Sequence, residues 1–341
     1  MRVLVIGGTG FIGRFVTTLL HRAGHDVAVF HRGTSGAELP REVRQIRGDR
    51  HRLTGSRAGL RELAPDVVID MIASSAAHAR DLVQTFRDVA RRVVVVSSMD
   101  VYRAAAVLHR LDDGPLEPVP LTEDSALRAT TQTYPAAQIR LLQSLFGWLD
   151  DGYDKVAVER AVQGDLALPA TILRLPMVYG PGDSLHRFHP VLKRIADGRP
   201  IIPFEERTAR WRSPRGYVEN VAAAIILAAT DERAAGRVYN VGEPDALSER
   251  EWTRLIADAA GWRGRLVTVP RERAPAHLVS PANLDQHWVA DTSRIRSELG
   301  YREPVPRSEG IRRSVEWERA HPPAGWDPAQ FDYAAEDALD M

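Results

Sequence analysis

The sequence predicts an α/β fold: a doubly wound parallel sheet followed by a smaller C-terminal α/β region that would hold a substrate. Three observations predict it. The apolar run at residues 3–6 breaks into Gly7, Gly8, Thr9 and Gly10 and passes into an amphipathic stretch. Apolar runs of strand length then alternate with helix-length amphipathic segments through the first half of the chain. The four valines at 93–96 form the continuous apolar pattern of a parallel strand buried on both faces.

In order, residues 2–6 read as a strand and 11–23 as a helix with Phe11, Phe15, Leu19 and Leu20 on one face. Strands follow at 27–30, 43–47 and 67–70, a helix at 76–90 and a fifth strand at 93–97. A long helix at 155–163 leads to a sixth strand at 170–175. This alternation predicts right-handed crossovers within one parallel sheet. Beyond residue 178 the pattern loosens. Helices are expected at 189–196, 218–230, 249–260, 292–299 and 308–320, and strands at 237–241 and 266–269. Ser248 stands three residues before Glu251, a capping-box pattern. Residues 103–150 are long for a connection, and 137–149 reads as an amphipathic helix, so this is a structured insertion. The expected organisation is a first domain at 1–178 with 215–247 packing back on it, a mainly substrate-binding region at 179–321, and a loose surface tail at 322–341.

Composition bounds the function. The 341 residues carry a formal net charge of +0, which gives no reason to expect nucleic acid or an anionic membrane as an obligatory partner. No apolar run reaches membrane-spanning length and the N-terminus lacks a signal-peptide pattern, so a cytoplasmic protein is expected. Cysteine is absent, which removes disulfides, thiolate nucleophiles and Cys-ligated metals. The eleven histidines show no spacing that resembles a metal site, and no metal is expected. Of 45 basic residues only Lys155 and Lys193 are lysines, so Lys155 is a candidate for a role that arginine cannot fill, while Lys193 reads as chance.

The glycines at 7, 10 and 13 sit between a strand and a helix, the context in which they permit pyrophosphate binding. They allow a sharp turn and close backbone approach, and the helix N-terminus offers free N–H groups. Gly7, Arg32, Ala73, Ser98 and Pro176 each fall just beyond a strand end and can line one crevice. Arg32, in Phe30-His31-Arg32-Gly33, stands where an NAD-preferring site usually carries an acid. It can pair with a 2′-phosphate, favouring NADP, or stack on adenine, leaving NAD possible.

Together these segments resemble the extended short-chain dehydrogenase/reductases, the NAD-dependent epimerase/dehydratase family. GGTGFIG at 7–13, Gly48-Asp49, VVVVSSMDVY at 93–102, Lys155 with Glu159, RLPMVYGPGD at 174–183, VENVA at 218–222, NVGEP at 240–244 and DTSRIRSELGY at 291–301 stand in family order. The resemblance implies a dinucleotide-binding Rossmann domain, hydride transfer to or from a nicotinamide, a nucleotide-sugar or other sugar-like substrate, and often a homodimer. By the same resemblance, cofactor contacts are expected at Gly7, Gly10, Phe11, Ile12, Gly13, Arg32, Asp49, Ala73, Ser97, Lys155, Pro176 and Val178. Asp49 would meet the adenine edge, though Gly-Asp is equally a turn pair. Ser98 matches the substrate-orienting Ser and Lys155 the Lys that lowers a tyrosine's pKa. Relatives bind substrate phosphates with arginines from the region of Arg207, Arg210, Arg212 and Arg215, which in so Arg-rich a chain also reads as a solvated loop.

One position departs from the pattern. Four residues before Lys155 stands Asp151, not Tyr, and the nearest tyrosine is Tyr153. Residues two apart on a helix face about 200° apart. Tyr153 therefore reaches the site only if the helix starts after it, which Asp150, Asp151 and Gly152 favour as a turn. Alternatively Asp151 is the acid/base, or classical redox catalysis is lost. Two classes follow: an NAD(P)-dependent oxidoreductase, epimerase or dehydratase, and a non-redox cofactor-binding protein of the same fold, a sensor or RNA-associated.

Overall fold

The computed structural model describes residues 1–339 apart from 35, 37, 132 and 166; the last two positions of the expected tail, 340 and 341, lie outside the described residues. Among the described residues there are eleven strands: β1 (Arg2–Ile6), β2 (Asp26–His31), β3 (Arg44–Arg47), β4 (Val67–Asp70), β5 (Arg92–Ser98), β6 (Ala170–Leu175), β7 (Met177–Tyr179), β8 (Ile201–Glu205), β9 (Arg215–Tyr217), β10 (Val238–Asn240) and β11 (Arg265–Val269). Seven of them form one sheet in the order β10-β6-β5-β4-β1-β2-β3, with every pairing parallel. The chain runs outward from β1 to β3 on one side and from β4 to β6 on the other. The order thus reverses between β1 and β4, and a crevice opens at the carboxyl ends of those strands.

The period-2 alternation of each strand feeds two helical layers. Val3, Val5, Val94 and Val96 face the helices Gly13–Arg22 and Val218–Thr230, in a core that continues through Tyr179, Trp252 and Ile311. Leu4, Ile6, Val93 and Val95 face the helices Ala76–Phe86 and Lys155–Gln163. The first helix begins at Gly13 rather than at 11, because Thr9 to Ile12 form the turn. Ser248 and Glu251 make the reciprocal capping box at the start of Glu249–Ala259.

The C-terminal half adds two parallel strand pairs, β8 with β11 and β7 with β9. The insertion before Lys155 holds a helix that the sequence did not announce, Arg103–Leu108, whose alanines are buried. Its second helix, Ala136–Leu145, stops short of the expected 149, and Phe146 to Trp148 turn toward the crevice. The tail is mostly exposed but not loose. Glu336 is fully buried, accepting from Arg194 Nη2 at 2.6 Å and lying 2.9 Å from His277 Nε2. Among the described residues no helix is long and apolar enough to cross a membrane.

Candidate active site

A cavity of about 930 Å³ fills the crevice, within the range of a cofactor pocket. Its floor is the glycine turn. Gly7 has φ +81°, in the left-handed region. A Cβ on Gly13 would stand 2.3 Å from the Gly7 carbonyl oxygen. The turn therefore closes only with glycine at 13, which lets the helix start against the strand end. Gly7, Gly10, Phe11, Ile12 and Gly13 all line the cavity, and the first helical turn leaves N–H groups without intrahelical acceptors. This is the donor set that a pyrophosphate requires.

Arg32, exposed beyond β2, lines the far end and donates through Nη1 to the Gly147 carbonyl at 2.9 Å. Asp49 also lines it, and its Oδ1 accepts from His51 N at 3.0 Å, so it shapes its own turn as well as facing the cleft. Ser97, Pro176 and Val178 form the opposite wall. Ala73 does not reach the wall. It is fully buried behind it, and its carbonyl accepts from Lys155. Arg14 spans the mouth and donates to the Pro181 carbonyl.

The Lys155–Gln163 helix starts at Lys155 itself, because Asp154 caps it by accepting from Val156 N and Ala157 N. Tyr153 consequently precedes the helix and is free of its 100° step. Both Tyr153 and Lys155 line the cavity, as does Ser98. Lys155 Nζ donates to the carbonyls of Ala73 at 2.6 Å and Val96 at 2.9 Å, and lies 6.0 Å from the Tyr153 ring centre. Burial pushes the Lys155 ammonium down to about 8, against the pull of Asp100, Asp70 and Glu159. Asp151 is not brought to this site. It is exposed, outside the cavity wall, and accepts from Gln143 Nε2 at 2.9 Å.

The partner of Tyr153 is Asp100, which the sequence analysis passed over. Tyr153 donates to Asp100 Oδ2 at 2.8 Å and Tyr134 to the same oxygen at 3.0 Å. Burial, then the Asp100 charge, raises both phenols well above the ordinary tyrosine range. Asp100 is fully buried and its other oxygen has no hydrogen-bond partner among the described residues. Arg128 reinforces the arrangement, donating to the Asp100 carbonyl and to Asp154 Oδ1. Ser98 Oγ accepts from Asp100 N at 3.2 Å and keeps its own O–H for the cleft. The available signal was a charged residue inside the apolar run Met99-Asp100-Val101.

Other motif members have packing roles. Glu159 accepts from Ser97 Oγ at 2.5 Å and from Arg174 at 3.1 and 2.8 Å, a buried network. Tyr102 is fully buried, donates to Asn240 Oδ1 and is pushed up to about 12 by burial. None of Arg207, Arg210, Arg212 and Arg215 lines the cavity; Arg215 pairs with Glu249 and Arg207 with Asp285.

Comparison with known proteins places this geometry. The sequence profile of the NAD dependent epimerase/dehydratase family matches residues 3–242. The chain is 31% identical over 301 residues to 2'-dehydrokanamycin reductase of Streptomyces kanamyceticus, covering 86% of this chain and 75% of that protein. It is 26% identical to dTDP-glucose 4,6-dehydratase of Streptomyces griseus over 355 residues, covering 96% of each. The structure of Thermus thermophilus UDP-glucose 4-epimerase complexed with NAD superposes with a TM-score of 0.64 at 24% identity, covering 94% of this chain and 100% of that one, a likeness of fold. With its glycine turn, its parallel sheet and its Ser98–Lys155 cleft, the chain belongs to the NAD-dependent epimerase/dehydratase family of enzymes.

Proposed function

We propose that the protein is an NADP-dependent oxidoreductase that reduces a keto group on a sugar-like substrate. The observation that carries this reading is the state of Tyr153. Its phenol is held neutral beside Asp100, on the same cleft wall as Lys155 and Ser98. A phenol so placed suits proton donation rather than residence as a phenolate base.

The glycine turn and Arg32 would hold a nicotinamide dinucleotide, which when bound would supply the hydride for the carbonyl carbon. Ser98 donates its hydroxyl hydrogen to the carbonyl oxygen and orients it. As that oxygen gains negative charge it becomes more basic than a phenolate, and it takes the Tyr153 proton. Lys155, with two N–H groups on backbone carbonyls, keeps the third for the cleft and places positive charge near the phenolate left behind. The 31% identical relative is named a reductase, which supports the same direction.

Arg32 supports the choice of NADP over NAD. Its fork lies at the end of β2, and only one of its five N–H groups is drawn to Gly147. A fluorescence titration with NADPH and NADH tests this, with NADPH at least about tenfold tighter and the preference lost in Arg32→Ala. Equal affinities would overturn it. The reaction is tested by following NADPH consumption with a panel of keto-sugars and oxidised aminoglycosides. Binding of NADPH without turnover of any of them would overturn the reductase reading. A homodimer belongs to the same proposal, and light scattering on the purified protein tests it.

A further inference from the structure

Three side chains outside the proposed chemistry meet on the flank of the turn that carries Tyr153. His51 lies in the turn after β3, His78 in the first turn of the Ala76–Phe86 helix, and Asp150 in the turn just before Tyr153. They come from segments far apart in the chain, so no local spacing announces them. His78 Nε2 is 3.1 Å from His51 Nδ1, while Asp150 Oδ2 is 3.6 Å from the first and 4.0 Å from the second. A point equidistant from these atoms lies about 2.1 Å from each, the length of a zinc–nitrogen or zinc–oxygen bond.

Ring orientation agrees. The two imidazole centres are 4.8 Å apart. A straight N–H···N bond of the observed length would hold them about 5.4 Å apart. The rings are inclined by 59°, the two nitrogens stay within hydrogen-bond geometry, and Asp150 closes the triangle.

The Asp150 carboxylate supplies an independent observation. Its Oδ1 is buried with no hydrogen-bond partner among the described residues, and its Oδ2 stands beyond hydrogen-bond reach of both rings. The side chain is 27% exposed, so Oδ1 alone is withheld from water, and a cation between the three groups would balance the charge it carries. Ser74 Oγ lies 3.0 Å from His78 Nδ1 and Ser74 N donates to the same nitrogen at 3.3 Å, which fixes the ring with Nε2 facing His51 and Asp150. The neighbouring cation, Arg50, is already paired with Asp70 through Nε and Nη2.

We propose that His51, His78 and Asp150 form a binding site for a divalent transition ion of the zinc class, with the fourth position left to water. Two imidazoles and one carboxylate select zinc-like ions over magnesium or calcium. Tyr153 N donates to the Asp150 carbonyl at 3.2 Å. The ion therefore fastens the turn holding Tyr153 to the β3 and β4 side of the cleft. This inference stands apart from the choice of substrate or cofactor.

The test is a titration of tag-free, chelator-treated full-length protein with Zn²⁺ against a chromogenic chelator, repeated with Co²⁺ read by its visible spectrum. One equivalent per chain is expected, with a tetrahedral Co²⁺ spectrum. Affinity falls at least about tenfold in His51→Ala and in Asp150→Asn, both chosen because they lie nearer the surface than His78. Added Zn²⁺ raises the Tm of the wild type and leaves that of the double variant unchanged. Absence of a one-equivalent site, or a site that survives unchanged in the double variant, would overturn the proposal.

Discussion

Tyr153 donates its phenolic hydrogen to Asp100 Oδ2, 2.8 Å away, while the Lys155 ammonium sits 6.0 Å from its ring centre. The nearest charge to this hydroxyl is thus negative. Replacing Asp100 by Asn keeps an acceptor and removes the charge, so the Tyr153 pKa falls. The basic limb of the pH–rate profile should move to lower pH in Asp100→Asn. An unmoved profile would separate Tyr153 from the rate-limiting proton transfer.

Tyr153→Phe removes the proposed proton donor without changing the shape of the ring. A loss in kcat of roughly 10²–10⁴-fold is expected, the range of general acid catalysis. Asp151→Asn provides the contrast, since Asp151 is exposed, does not line the cleft and accepts from Gln143. Its kcat should stay within about twofold of wild type. A comparable loss in Asp151→Asn would return the acid/base role to Asp151.

Lys155 carries a pH signature in stability. Its folded-state pKa of about 8 lies below the ordinary 10.5. Between those values the unfolded chain holds a proton that the folded chain has released, so stability rises with pH across that window. Below pH 8 both states are protonated and the cost of the buried charge is fully present. Lys155→Met removes the cost at all pH values. The stability gap between variant and wild type should therefore narrow from pH 8 to 10 by an amount of order 2–3 kcal/mol, measured by urea unfolding. A constant gap would refute the depressed pKa. Lys155→Ala should also abolish turnover while cofactor binding weakens but survives.

Gly13 is fixed by sterics. A Cβ there meets the Gly7 carbonyl at 2.3 Å and Gly8 Cα at 2.9 Å, all backbone atoms that have no rotamer to yield. Gly13→Ala should destabilise the protein by roughly 1–3 kcal/mol and weaken NADPH binding in the fluorescence titration. Gly24→Ala is the control for glycine loss away from the cleft, with open space around its Cβ position but a φ of +81°. It should cost stability and leave cofactor affinity unchanged.

Arg174 and Glu159 form a doubly hydrogen-bonded pair in the core, with Ser97 on the same carboxylate. Arg174→Met leaves the Glu159 charge buried and unpaired, a loss of about 3–5 kcal/mol. Pairing it with Glu159→Leu should recover much of that loss, as measured by chemical denaturation.

The sheet was legible because its determinants are local. Valine and isoleucine runs, glycine at Gly7 and Gly13 and the Ser248–Glu251 cap act within a few residues of one another. The helix start at Lys155 was legible too, from the turn formers at Asp150, Asp151 and Gly152. Asp100 was not, since its importance arises from Tyr134 and Tyr153, which the fold brings to it across long loops. Arg128 escaped notice for the same reason, as one arginine among many until its fork is seen on Asp100 and Asp154. The tail was read as loose because it is rich in Pro, Asp and Ala, yet Glu336 finds Arg194 and His277 in the interior.

Arg14 and Arg32 both reach across the cleft to backbone oxygens, at Pro181 and at Gly147. Each carbonyl is neutral, and a phosphate is a stronger acceptor for the same guanidinium. A dinucleotide that recruits these arginines would release the two loops they hold. By linkage, whatever frees the 147 loop must in turn favour the nucleotide. Filling the crevice and loosening its rim are then one equilibrium, read from two sides.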